Sequence, residues 1–386
     1  MTTGVGLLLL LSGSTAQAGW LFVLSAGVLG LAGGSLAVRH RLKSAEVIRS
    51  VPSRLRVGDT TRVGLTLINN GRKPLPMLKL ADAYPAFEPI GLATDRVPAQ
   101  GRVEIELTRT AARRGVFDGA DVELTSGAPF GMARSRRRIA VATRTVVVPH
   151  WVELRSFPIL EPSSLPSDQL HERARTGAGE EFLGVRDYRP GDPPRSVHWR
   201  STARAQRLVV REFEEMTYSR VAVVVGGPDA GLPPDSAFEA VVSAAASVAL
   251  YALTTGHPVD LVRSGRPGMI DRLGGAGRVG ILEWLASAHP SEDGLEPLAA
   301  AAAKAASRHG TVILCATEGS GSAGGLRASA RIVQGMGARA IVVAADGDSW
   351  VHPEGRLDDL RRGLTATRTT LRILTKGKDL ATCLGA

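Results

Sequence analysis

No aspartate, glutamate, lysine or arginine occurs before Arg39. So long an uncharged, largely apolar start does not suit the surface of a water-soluble domain, and it constrains the fold more than any other feature of the chain. Trp20 to Val38, WLFVLSAGVLGLAGGSLAV, is 19 residues long, close to the ~20 residues that carry a helix across the hydrocarbon core of a bilayer. The preceding GVGLLLLLSGSTAQA is shorter, and its polar Ser12 to Gln17 end supplies a turn, so residues 1–45 predict a transmembrane helical hairpin with a basic flank. A signal peptide cut after Ala16-Gln17-Ala18 is the competing reading; against it, no basic n-region comes first and a second apolar segment follows at once. Arg39, His40, Arg41 and Lys43 come directly after the second segment. Basic flanks are retained on the cytoplasmic side, which predicts a plasma-membrane protein whose soluble domains face the cytoplasm. Glycines 27, 30, 33 and 34 would allow a neighbouring helix to approach closely, although glycine is common in such helices in any case.

At 386 residues there is room for two or three domains, each with its own core. A net charge of +10 invites a nucleic-acid or anionic-membrane partner. Cys315 and Cys383 lie far apart and match no metal or redox spacing, so they read as free thiols of a reducing compartment.

Residues 46–150 alternate with a period of two. In TRVGLTLINNG, Val63, Leu65 and Leu67 share a face before the Asn69-Asn70-Gly71 turn. In RVEIELT, Val103, Ile105 and Leu107 face inward and Glu104 and Glu106 outward. IAVATRTVVVP closes the region, and the whole predicts an all-β sandwich domain. The basic run Arg134 to Arg138 reads as a solvated edge, protected from pairing by its charge.

Residues 217–386 alternate strands and helices. VAVVVG, PVDLVRS, TVILCAT, AIVVAAD and TLRILT read as strands; a helix from Ser236 to about Thr254, capped by Asp235, and helices near 278–288, 295–308 and 326–335 lie between them. Continuous apolar strands separated by helices predict a doubly wound parallel sheet covered on both faces. Ligands of such sheets sit at the carboxyl ends of the strands. The loops there, GGPDAG, TEGSGSAGG and ADGDSW, contain no Gly-Lys-Ser/Thr, and GGAGRVG at 274–280 does not follow a strand as a dinucleotide fingerprint must. Asp229, Asp346 and Asp348 are the carboxylates at which a hard cation would bind, but Asp-Gly in such a loop commonly makes only a turn. No cofactor, metal or small-molecule substrate is expected.

Between these regions, within 151–216, lies GEEFLGVRDYRPGDPPRSVHWRSTARAQRLVVREFEE, residues 179–215. EFLGVRDY reads as a strand, GDPPRSVHWRSTAR as a helix entered through Asp192 as cap and Pro193, and RLVVREFEE as a second strand. Residues 171–215 hold nine arginines against eight acids. A phosphate clamp would carry a large positive surplus, so this balance argues against nucleic acid and for ion pairs among Glu180 or Glu181, Asp192 and Arg186, Arg195 and Arg204. Such a network fits either a tightly tied linker or a partner-docking surface.

The same stretch resembles the signature of the bacterial domain of unknown function 58 family. The resemblance rests on the Gly-x-Glu-Phe opening with Glu181 and Phe182, Arg186 and Tyr188 along a strand, and Pro-Gly-Asp with Gly191 and Asp192. It continues through Arg195 shortly before Trp199 and Arg200, Ala-Arg at Arg204, and Arg207 leading into a Leu-x-Val-Arg-x-Phe-Glu strand with Arg211. SGAPFGMA, 126–133, is similar to the family's Asp-Pro-Phe-Gly element, with Ala128 in place of the acid, and His198 stands where the family commonly has Asp. The resemblance implies a membrane hairpin, a β-rich segment and a von Willebrand factor A-like α/β region, and it implies a partner, an AAA+ ATPase of the MoxR type. GGPDAG lacks the Asp-x-Ser-x-Ser of a metal-dependent adhesion site, so that metal function is not implied.

Two classes of function follow. One is a membrane-anchored, non-enzymatic scaffold that docks the ATPase in assembling or maintaining envelope complexes, with the twelve signature residues just named as its docking set. The alternative is a hydrolase or nuclease using the signature acids with His198, whose neighbour one helical turn on would be Ser201.

Overall fold

A computed structural model describes residues 2–16, 19–36, 42–127, 134–159, 181–189, 192, 194–214, 220–228, 231–232, 235–265, 269–291, 293–306, 310–318, 323–346, 350 and 369–385. SGAPFGMA falls largely outside them, as do Asp229 and Asp348. The chain divides into two compact units, Met1–His150 with Leu282–Ala288, and Trp151–Ile281 with His289–Ala386.

The first unit begins with two apolar helices, α1 (Thr2–Ala16) and α2 (Gly19–Leu36). They pack on each other, and the buried Ser25 hydroxyl donates to the Gly6 carbonyl at 2.8 Å. The close approach falls at Gly6, where a Cβ would come within 2.9 Å of the Leu29 side chain; glycines 27, 30, 33 and 34 have nothing within 4 Å. The small-residue contact is therefore on α1, not at the α2 glycines. Val5, Leu7, Leu8, Leu10 and Leu11 on α1 and Trp20, Phe22, Val23 and Leu24 on α2 are exposed, Val23 to 74%.

Ten strands follow: β1 (Ala45–Ser50), β2 (Arg54–Arg56), β3 (Thr60–Asn69), β4 (Leu78–Asp82), β5 (Ile90–Thr94), β6 (Arg102–Thr110), β7 (Gly115–Phe117), β8 (Ala120–Ser126), β9 (Ser135–Val141) and β10 (Thr145–Val148). They form sheets of order β1-β3-β6, β5-β4-β8-β9 and β2-β10-β7. Val47, Leu65 and Leu67 of the first sheet meet Leu78, Leu80, Val122 and Leu124 of the second in one core, the face-to-face packing that a period-two alternation predicts. Asn69-Asn70-Gly71 is not a hairpin turn. β3 pairs with β1 and β6, and the chain leaves it for the other sheet. β9 is an edge strand, as its arginines suggest; Arg136 and Arg138 pair with Glu123, while Arg137 turns inward to the carbonyls of Leu42, Lys43 and Ala45 at 2.5, 2.6 and 3.0 Å.

A buried charge cluster holds this unit together. Asp82 accepts from Arg49 at 2.6 Å and from Arg109 at 3.0 Å, with all three side chains nearly inaccessible. Arg109 also donates to the Glu88 carbonyl. The Arg49 guanidinium stands 4.5 Å from the Tyr84 ring centre and that of Arg109 4.9 Å from Phe87, so aromatic faces take up part of the surplus positive charge. Burial pushes the Arg109 pKa down, and Asp82 opposes the shift.

The second unit contains an antiparallel pair, β11 (Glu181–Asp187) and β12 (Val209–Glu214), with the short helix α3 (Trp199–Ala205). Beyond it β13 (Val221–Gly226), β16 (Val259–Ser264), β17 (Ile270–Gly274), β18 (Thr311–Glu318), β19 (Arg339–Asp346) and β20 (Thr370–Leu374) make one sheet; the two-residue β14 (Gly231–Leu232) and β15 (Asp235–Ser236) pair apart from it. Its order is β17-β16-β13-β18-β19-β20, parallel except for the antiparallel edge strand β17. This is the doubly wound order 3-2-1-4-5-6, which reverses direction between β13 and β18. Helices α4 (Ala237–Thr254), α6 (Leu295–Ala306) and α7 (Ala323–Gly335) pack on it, α5 (Arg278–Ala286) runs from the second unit into the first at Leu282, and α8 (Leu380–Leu384) lies near the end of the described chain. Among the described residues α4 is the one helix long and apolar enough to cross a membrane, and Gly19–Gly34, within α2, is a shorter apolar stretch. The apolarity of α4 has a different cause, because Phe238, Val241, Val242, Val248 and Ala249 are buried. Its cap is Ser236, whose hydroxyl accepts from the Glu239 amide at 3.3 Å, rather than Asp235, which lies in β15.

Candidate functional site: the arginine-rich hairpin

β11 and β12 are rich in β-branched and aromatic residues, Phe182 and Val185 on one and Val209, Val210 and Phe213 on the other, and they pair in antiparallel register, Val185 opposite Arg211 and Asp187 opposite Val209, with a bulge between Phe182 and Gly184. Of the signature residues, Glu181 pairs with Glu214 and Phe182 with Phe213 along the backbone; their side chains, and Gly191, lie outside the described residues.

Arg186 and Asp192 form the centre of the connection. The guanidinium grips the carboxylate with both forks, Nη1 to Oδ2 at 2.7 Å and Nη2 to Oδ1 at 2.9 Å, and the Arg189 amide donates to Oδ2 at 2.8 Å. The Arg186 hydrogen bond, then the Arg189 amide, hold the Asp192 pKa down at about 2. Asp192 is therefore a committed carboxylate, bound to the ion pair the sequence predicts, and it is not a helix cap.

The helix begins six residues later than the Asp192 reading places it. Pro194–Ser196 is a single 3-10 turn that carries Arg195, whose side chain is outside the described residues. Val197 then bridges to Val210 and the His198 amide donates to the Val209 carbonyl at 2.8 Å, so this segment lies along the edge of β12 before it coils. His198 caps α3: its Nδ1 accepts from the Ser201 amide at 3.3 Å and is 2.7 Å from the Ser201 hydroxyl. The expected neighbourhood of His198 and Ser201 is present. Its geometry is that of a cap, with the ring nitrogen satisfying an orphan helix amide.

Trp199 and Arg200 open α3 and Arg204 stands in its last turn, with no acid on the helix. Arg200 and Arg204 are like charges four residues apart, which weakens a short helix by a few tenths of a kcal/mol. Arg207 pairs with Asp187 at 2.9 Å in an exposed ion pair. Arg211 is exposed on β12, and Tyr188 is half-buried with its amide donating to the Leu208 carbonyl at 2.9 Å. Thr202, Asp187 and Leu208 are the participants that sequence reasoning passes over. The Thr202 hydroxyl stands 3.1 Å from the Val209 amide and 3.4 Å from its carbonyl, tying α3 to β12.

At the switch point of the large sheet, Gly226-Gly227 ends β13 and Thr317 ends β18. The Thr317 hydroxyl donates to the Pro228 carbonyl, joining the two loops, and Gly227 has φ of 104° with no room for a Cβ beside Thr317. Among the described residues no three His, Cys, Asp or Glu side chains converge as a metal site would require.

The family model described as "Protein of unknown function DUF58" matches residues 184–334, from β11 into α7. No curated protein matches the chain. Among solved structures, a CARDB domain from Pyrococcus furiosus is 10% identical over 26% of this chain and 94% of its own, with TM-score 0.18. The alkylpurine DNA glycosylase AlkC of Pseudomonas fluorescens is 10% identical over 34% of this chain and 40% of its own, with TM-score 0.17. Such scores carry no argument about fold or activity.

Proposed function

We propose that this chain, a DUF58 family protein by its residues 184–334, is a membrane-anchored, non-enzymatic scaffold. In this reading it works with a MoxR-type AAA+ ATPase in assembling or maintaining envelope-associated complexes. The observation that carries the reading is the outward apolar surface of α1 and α2, where large hydrophobic side chains from Val5 to Leu24 are exposed. In water such a surface is unfavourable by about 25 cal/mol for each Å²; in a bilayer it is the matched one. At 1.5 Å per residue the 18 residues of α2 extend about 27 Å, near the ~30 Å of a hydrocarbon core, and the 15 of α1 about 22 Å. The two form a transmembrane hairpin, and the basic residues after α2 keep the β unit and the α/β unit in the cytoplasm.

The doubly wound unit, with its 3-2-1-4-5-6 order and antiparallel third strand, is read as von Willebrand factor A-like, a fold suited to presenting loops to a protein partner. A scaffold rather than a hydrolase is favoured because the described acids of the signature connection are engaged by arginines, Asp192 by Arg186 and Asp187 by Arg207. A general base needs a carboxylate or imidazole open to its substrate with a matched pKa.

The test is to purify the full chain from membranes in mild detergent together with a co-expressed MoxR-type ATPase. Resistance of the chain to extraction by alkaline carbonate, activity of a cytoplasmic reporter fused at Ala386, and stoichiometric recovery of the ATPase are expected. Release by carbonate overturns the anchor, and a chain that elutes without the ATPase overturns the partnership.

A further inference from the structure

Asn69 draws one end of the β unit together. Its side-chain amide donates to the carbonyls of Lys73 at 2.9 Å and Pro98 at 2.8 Å, the Asn70 amide donates to the Ser44 carbonyl at 3.0 Å, and Leu75 bridges to Val97. The second sheet reaches the same end with Leu78 beside Thr94 and Ser126 beside Ser135. Arg137, two residues along β9, ties that sheet to the carbonyls of Leu42, Lys43 and Ala45. Five exposed bases stand at this end: Lys43, Arg72, Lys73, Arg96 and Arg134. Nearby, Arg102 pairs with Glu104 and Arg136 with Glu123, but among the described residues none of the five is in an ion pair. The acids left over there are Asp95 and Glu46, and Glu46 accepts from the Asn70 side-chain amide at 3.0 Å. Met77, just before β4, is 61% exposed at the same end.

We propose that this end of the β unit is a docking surface for the anionic phospholipid headgroups of the cytoplasmic leaflet, with the five bases against phosphates and Met77 entering between them. The inference rests on the anchored reading and deepens it, since it gives the chain a second contact with the same bilayer. Two observations select the occupant. Five residues, 37–41, separate the end of α2 from Leu42, a tether of about 20 Å even when fully extended. The end that carries Lys43 is therefore kept near the bilayer face from which α2 emerges. Charge complementarity is the second: basic clusters beside a spanning helix attract anionic headgroups, and an exposed apolar side chain among them gains by entering the interface. A nucleic acid is the other polyanion that such bases would suit. No aromatic side chain occurs in 42–48, 69–79, 94–104 or 134–138 to stack a base, and an exposed methionine gains nothing against a phosphodiester backbone.

The experiment places the full chain in lipid nanodiscs with a polarity-sensitive nitrobenzoxadiazole probe on Met77→Cys, in a Cys383→Ser background that leaves only the buried Cys315. Discs of phosphatidylcholine alone are compared with discs containing about 30% phosphatidylglycerol. Emission about twofold higher and shifted to shorter wavelength is expected in the anionic discs, since the probe then leaves water for the interface. The rise should vanish at about 1 M salt, where the screening length is about 3 Å, and in Arg72→Glu/Lys73→Glu/Arg134→Glu, whose substituted side chains are exposed. The same probe on Ser53→Cys, beyond the far end of β1, should not respond. Equal emission in the two lipids, a rise that survives both salt and the triple variant, or an equal rise at Ser53→Cys would overturn the proposal. So would an equal rise brought about in phosphatidylcholine discs by inorganic phosphate or by oligothymidine, which would assign the surface to free phosphate or to nucleic acid. A chain that resists carbonate extraction without a lipid-dependent signal would overturn this surface and leave the anchor intact. Release by carbonate with a phosphatidylglycerol-dependent signal would do the reverse.

Discussion

Replacing Asp192 by asparagine removes the charge and keeps the shape, so it isolates the electrostatic content of the hairpin connection. The Asp192 carboxyl ionises at about 2 in the folded chain, against about 3.9 when unfolded. Just under two pKa units at 1.36 kcal/mol each is about 2.5 kcal/mol. Asp192 is 17% exposed and Arg186 28%, so solvent screens part of this, and about 1 to 2 kcal/mol is the working figure. A depressed carboxyl pKa contributes stability that is present above the unfolded value and lost as pH falls toward the folded one. The parent should therefore exceed Asp192→Asn fully at pH 5 to 7, and the difference should shrink between about pH 4 and pH 2. The readout is hydrogen exchange at the Tyr188 amide, which bonds to Leu208. Taking the ratio of parent to variant at each pH cancels the intrinsic pH dependence of exchange. About tenfold greater protection in the parent is expected near neutrality, since 1.4 kcal/mol is a factor of ten. A ratio near one at pH 7 would show that the fork geometry contributes nothing, and a ratio constant down to pH 2 would show that the ion pair is not its source.

Asp82→Asn leaves Arg49 and Arg109 buried without a counter-charge and should destabilise the β unit by about 3 to 5 kcal/mol in urea unfolding followed by tyrosine fluorescence; a loss under 1 kcal/mol would contradict the cluster's role. Burial pushes the Cys315 thiol far above its ordinary pKa, whereas Cys383 is only partly covered. Native protein should accordingly react with one equivalent of Ellman's reagent near pH 8, and with two only in denaturant. Ser236→Ala removes the cap of α4 and should cost about 1 kcal/mol in thermal or urea unfolding of the α/β unit, with Asp235→Ala within ~0.5 kcal/mol of the parent; the opposite ranking would restore Asp235 as the cap.

Elements built on local periodicity are legible in the amino-acid sequence. Five strands of the large sheet follow from apolar runs of about six residues, and the inward faces of β3 and β6 from strict alternation; the edge strand β17, IDRLG, has no such run, so sequence reasoning passes over it, although it leads directly into GGAGRVG. What local pattern does not contain is the partner of a polar group. Asp192 followed by two prolines reads as a helix entry, and nothing nearby contradicts it. Arg186, six residues earlier, removes that role, and it reaches Asp192 only once the hairpin has closed. The cap then passes to His198, because the chain pairs with the edge of β12 through Val197 before it coils.

The buried cluster is written in the alternation itself. In β1 the inward positions are Ala45, Val47 and Arg49; in β4, Leu78, Leu80 and Asp82; in β6, Val103, Ile105, Leu107 and Arg109. Each charge keeps phase with the apolar face of its strand, where an unpaired ion would be prohibitively costly. Three strands that each turn one charge inward, two positive and one negative, must bring those charges together or fail to pack. The remaining positive charge then requires a further acceptor, and the Tyr84 and Phe87 rings beside Arg49 and Arg109 provide it. A charge in phase with an apolar alternation is thus a statement about tertiary contact, and the same test separates Arg137, which turns toward the carbonyls of Leu42, Lys43 and Ala45, from Arg136 and Arg138, which remain on the solvated face of the same strand.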